Sequence, residues 1–138
     1  MAKIEVSIKI KSSVDKVWEI ISDIDNETKY WKGTKEIRNI SKDGNKVNRE
    51  VTLAFRDSKC LQEVILYPKE KIKIIFTKGV IQGTKTVNLK PQDNGAFLEV
   101  VWDVKLSGMM GMFTSMIKKH VKSGTEQALQ SIKSEAEK

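Results

Sequence analysis

The chain has one cysteine, one histidine and two prolines among its 138 residues. A lone Cys60 cannot build an internal disulfide framework, and it fits a reducing compartment. One cysteine and one histidine do not supply a zinc-type ligand set, so no metal is expected. Any Ser-His-Asp arrangement would have to use His120, and no nucleophile elbow accompanies it. The glycines of GVIQGTK and SGMMGMF lack phosphate-loop spacing, and no cofactor is expected. No apolar run approaches the ~20 residues that span a bilayer. The opening MAKIEVSIKIK alternates instead of forming an apolar block, which argues against a signal peptide. These absences point to a cytoplasmic protein folded as one domain over residues 1–138.

Arginine is also scarce. The formal net charge is +7, yet Arg38, Arg49 and Arg56 are the only arginines. Arginine is the usual residue for bidentate phosphate and guanine contacts. The lysines are spread along the chain and mostly alternate with apolar residues. That pattern fits a solvated lysine surface better than a nucleic-acid interface. A functional basic face, used by an accessory interaction protein, is the alternative.

What is present is clear alternation. Ile4, Val6, Ile8 and Ile10 oppose Glu5, Ser7, Lys9 and Lys11, as in a half-buried strand. Ser12 or Ser13 then caps a helix, with Asp15 in the first turn where the dipole favours negative charge. Val14, Val17, Trp18 and Ile21 fall at helical spacing. A second short helix is expected over Asn26–Trp31, stopped by Gly33. Strands follow over 37–40, 47–55, 60–67, 72–77, 84–89 and 97–106, with turn signals at KDGN and PQDNG. Val47, Val51, Leu53 and Phe55 share one face, and Arg49 is in phase with them. Leu98, Val100, Trp102, Val104 and Leu106 share another. Residues 109–132 give one helical apolar arc: Met109, Met110, Phe113, Ile117, His120, Val121, Gly124, Ala128 and Ile132. Lys118, Lys119, Lys122 and Lys133 point away from it. This order predicts an α+β protein with an antiparallel sheet.

The order, and the stretch SSVDKVWEIISDIDNETKYWKGTKEI, resemble the SRPBCC or START-like superfamily, in its polyketide cyclase/dehydrase and lipid-transport branch. The motif is carried by Val17, Trp18, Ile21, Ser22 and Asp23, then Tyr30 and Trp31. Lys32 and Gly33 stand where such proteins often have proline. The resemblance implies a helix-grip fold: a curved antiparallel sheet of about seven strands around a long C-terminal helix, with two short helices between strands 1 and 2. It also implies a hollow that binds a small hydrophobic ligand, such as a lipid, quinone or polyketide-like molecule. Candidate ligand contacts are Tyr30, Trp31, Arg49, Leu53, Phe55, Trp102, Phe113, Met116, Ile117 and His120.

Catalytic signals are thin. His120 reads either as a hydrogen-bonded wall residue or as a ligand-contacting acid/base group, because histidine titrates near neutrality. Arg49 reads either as a strand-end arginine or as a cavity residue facing a ligand's polar group. A cofactor-free cyclase/dehydratase would use these two. Met109, Met110, Met112 and Met116 read as ordinary core or as a mobile entrance. Such an entrance would touch a membrane transiently, with Lys118, Lys119 and Lys122 near anionic headgroups.

Overall fold

The computed structural model describes residues 2–106 and 115–138. Its elements run β1 (Ala2–Ile10), α1 (Val14–Ile21), a short 3-10 helix (Ile24–Lys29), β2 (Thr34–Asp43) and β3 (Lys46–Leu53). A 3-10 turn (Phe55–Asp57) leads to β4 (Lys59–Tyr67), β5 (Lys71–Gly79), β6 (Ile81–Gln92), β7 (Gly95–Leu106) and α2 (Ser115–Ala136). All seven strands form one sheet in the order β1-β7-β6-β5-β4-β3-β2, antiparallel throughout.

That order explains the short helices. β1 and β2 are neighbours in sequence but lie at opposite edges of the sheet. The connection must cross the sheet, a width of about 29 Å at the usual strand spacing. α1 and the 3-10 helix make the crossing on the enclosed face. Ser13 caps α1 by accepting from the Lys16 backbone N–H at 3.1 Å, and Val17 is fully buried. The 3-10 helix then docks over β2 and β3, where Asn39 donates to Asp25 at 2.8 Å.

The alternation predicted for β1 and β7 is present in register. Ile4 lies opposite Trp102, Val6 opposite Val100, and Ile8 opposite Leu98. Gly79 ends β5 with φ +127, and a Cβ there would lie 2.6 Å from the Cys60 Cβ, so the position admits only glycine comfortably.

Two expectations require correction. Phe55 does not continue the β3 face: the strand ends at Leu53, and Arg56 and Asp57 take positive φ values of 55° and 51°. The resulting turn leaves Phe55 39% exposed. The inward face of α2 is also rotated from the apolar arc. It consists of Thr125, Ala128, Leu129, Ile132 and Ala136. At 100° per residue His120 lies about 140° from Thr125, and it is exposed. Met116 is 72% exposed. Met109, Met110, Met112 and Phe113 lie outside the described residues.

Candidate functional site

Among the described residues four polar side chains are buried in an otherwise apolar interior: Arg49, Gln62, Lys85 and Thr125. Sheet register brings the first three together. Arg49 on β3 pairs with Gln62 on β4, which pairs with Phe76 on β5. In the adjoining row Ile74 pairs with Lys85 on β6, which pairs with Trp102 on β7. Side chains alternate across a strand, so all of these project to one face.

Arg49 is almost fully satisfied. Its Nε donates to the Gln62 side-chain oxygen at 2.9 Å, and one terminal nitrogen donates to the Ile24 carbonyl at 3.2 Å. The other terminal nitrogen is ion-paired with Glu27. Both latter partners belong to the 3-10 helix, so Arg49 fastens the crossing connection to the sheet. A buried charge requires this kind of pairing.

Lys85 is held differently. Its Nζ lies 3.2 Å from the centre of the Trp31 ring and 4.8 Å from that of Trp102. The two indoles meet edge to face at 6.5 Å, and Phe76 stacks on Trp102 at 6.2 Å. Ring faces attract a cation through their quadrupole but do not supply hydrogen-bond acceptors. Burial pulls the Lys85 amine down to about 8; Glu27 opposes this and Arg49 adds to it. Trp102 is fixed in turn by α2, where its Nε1 donates to the Thr125 hydroxyl at 3.0 Å and that hydroxyl donates to the Val121 carbonyl at 2.7 Å. Cys60 lies at the same end of β4, and burial pushes its thiol up to about 11 despite the pull of Arg49.

Of the residues singled out from sequence, Trp31, Arg49 and Trp102 come together here, and Leu53 is buried at the end of β3. Ile117 is half-buried on α2. Phe55, Met116 and His120 are on the surface. Tyr30 is half-buried but lines surface clefts of about 340 and 580 Å³ shared with Lys29 and Glu135. Sequence reading missed Lys85, Gln62, Glu27 and Thr125. Lys85 carried a usable signal, because it is in phase with Val87 and Leu89, as Arg49 is with Val47 and Val51. Among the described residues no group of histidine, cysteine and carboxylate side chains could hold a metal ion, and no helix is long and apolar enough to cross a membrane.

A seven-stranded antiparallel sheet closed by a long C-terminal helix, with short helices between the first two strands, defines a START-like protein of the SRPBCC superfamily. The chain belongs to the polyketide cyclase/dehydrase and lipid-transport family, whose model matches residues 1–137. Solved structures share the fold. The protein TTHA0849 from Thermus thermophilus superposes with a TM-score of 0.82 at 12% identity, covering 96% of this chain and 95% of that one. The Zhui aromatase/cyclase from Streptomyces sp. R1128 gives 0.76 at 14% identity, covering 99% and 93%. A START superfamily protein from Mycobacterium smegmatis gives 0.77 at 15% identity, covering 98% and 97%. No curated protein matches the sequence significantly.

Proposed function

We propose that this protein binds or carries a small hydrophobic ligand, of lipid, quinone or polyketide-like type, between the sheet and the first half of α2. The observation that carries this reading is the uneven seating of α2. Its second half buries Thr125, Ala128, Leu129, Ile132 and Ala136. No residue from Ser115 to Gly124 is buried, and Ile117 and Val121 remain half-exposed on the sheet-facing side. A helix packed against the sheet along its length would bury both. Phe76 and Trp102 of the sheet, with Trp31 from the crossing connection, offer nearby apolar surfaces suited to a flat or extended ligand. The family's lipid-transport description agrees with this reading.

A second reading, a cofactor-free cyclase/dehydratase, draws on the buried Arg49 and Lys85, which could polarise a carbonyl held beside them. The family description supports this reading as well. Exposed Lys118, Lys119 and Lys122 on α2 suit transient contact with an anionic membrane surface, and a cytoplasmic location fits both readings. The same lysines would serve an accessory interaction protein.

The test is to purify the folded protein without detergent, extract it with organic solvent and identify bound molecules by mass spectrometry. A stoichiometric apolar compound is expected. An empty extract, together with no uptake of a hydrophobic fluorophore, would overturn the binding reading. Turnover of a recovered compound would favour the enzyme.

A further inference from the structure

The buried charges do not balance. Arg49 and Lys85 are 1% and 5% exposed, and the Glu27 side chain beside them is 11% exposed. Glu27 is committed to Arg49. No carboxylate lies within ion-pair distance of Lys85, and no hydrogen-bond acceptor holds its ammonium among the described residues; the Trp31 and Trp102 rings are its neighbours. The segment outside the described residues cannot supply the missing anion, because SGMMGMFT contains no acidic residue. Two cations and one anion leave an enclosed charge of +1.

Such an imbalance is costly in a low-dielectric interior. Aromatic faces offset part of the cost, but they do not match the three N–H donors of the ammonium, for which the described residues provide no acceptor. The surroundings nevertheless keep the group in place. Trp102 is hydrogen-bonded to Thr125 of α2, and Trp31 is set by the end of the crossing connection. This gives a buried cation bordered by two indole rings, with no acceptor for its donors among the described residues.

We infer that Lys85 is the anchor for a ligand carboxylate, so that the ligand class is an apolar molecule carrying one acidic oxygen group. The inference rests on the binding reading above and narrows it. The carboxylate would neutralise the surplus charge and accept the free N–H donors. The apolar remainder would lie against Phe76, Trp102 and the half-exposed side of α2. Charge-assisted bonds of this kind are roughly twice as strong as neutral ones. A neutral amphiphile would leave the ammonium unpaired and should bind more weakly.

The experiment compares 11-(dansylamino)undecanoic acid with its methyl ester. Binding to the full chain is followed by energy transfer from tryptophan to dansyl. The acid is expected to bind at least ~10-fold more tightly than the ester at pH 7.5, and Lys85→Met should erase that difference. Equal affinity of acid and ester for the wild type would overturn the anchor and leave the binding reading intact. A preference for the acid that survives in Lys85→Met would do the same. Failure of both probes to bind the folded wild type would overturn both readings.

If Lys85→Met does not fold, the wild-type pH profile decides. Glu27 from the 3-10 helix, Arg49 from β3 and the Cys60 thiol from β4 are the other ionisable groups around the site, and α2 presents the uncharged Thr125. Burial holds the Cys60 thiol up to about 11. The ratio of acid to ester affinity should therefore decline between pH 7.5 and 9.5 as Lys85 loses its proton. A flat profile would overturn the anchor.

Discussion

Arg49, on the strand next to one edge of the sheet, is ion-paired with Glu27, from the 3-10 helix of the connection that joins the sheet's two edges. The arginine is 1% exposed, so the pair is a buried fastening and not a surface contact. Glu27→Gln should destabilise the fold by about 3–5 kcal/mol, because it strands a buried guanidinium beside a second cation. Replacing both partners, Glu27→Gln with Arg49→Met, should cost less than the single change. Urea unfolding of the two variants checks this. Equal stability of wild type and Glu27→Gln would mean that the pair is hydrated in solution.

Thr125→Val keeps the shape of the α2 face but removes the acceptor for the Trp102 Nε1–H. A buried donor without a partner costs about 1–3 kcal/mol. Thermal or urea unfolding should show that loss. Thr125→Ser, which keeps the oxygen, should recover most of it.

Stability should depend on pH through Lys85. Its folded value is lowered to about 8 from the ordinary 10.5. Between those values the unfolded chain binds a proton that the folded chain does not, so stability rises with pH there. The penalty is fully present below pH 8 and is on the order of 3 kcal/mol. Cys60 acts in the opposite direction, since a raised thiol value makes stability fall from pH 9 toward 11. Comparing wild type with Lys85→Met cancels the thiol. The variant's unfolding free energy, relative to wild type, should fall as pH goes from 8 to 10.5. A constant difference would place the amine in water.

Cys60 should resist alkylation. The thiolate is the reactive form, and this thiol is both buried and shifted to about 11. Iodoacetamide at pH 8 is expected to label the folded chain far more slowly than the chain in urea. Comparable rates would indicate that β4 opens freely.

The strands were legible because alternation and turn residues acted together, as at KDGN between β2 and β3. The site was legible in part. Arg49 stood out as an isolated arginine in an apolar phase. Lys85 sits in the same kind of phase but was hidden by the abundance of lysines, most of which are solvated. Phe55 misled because alternation ran on past the strand end, while positive φ angles at Arg56 and Asp57 decide where it points. His120 misled because an arc drawn from apolar residues alone ignores Thr125, a polar residue placed inward by its bonds to Trp102 and Val121. Glu27 and Gln62 carry no periodic signal strong enough to separate them from surface residues.

The strand order has a consequence in time. Of the seven strands of this sheet β1 is synthesised first, and among the described residues it pairs with β7 alone. Their contacts join residues about ninety positions apart, a closure with a substantial entropy cost. Until β7 exists, β1 offers two unpaired edges and an apolar side of four isoleucine and valine residues. α2 comes later still, and its end ties back to the start of the chain: the Lys11 N–H donates to Glu137, and the Lys133 amine donates to the Lys9 carbonyl. The nascent chain must therefore keep β1 from pairing elsewhere, and α2 can seat against β1 only after all seven strands have been made.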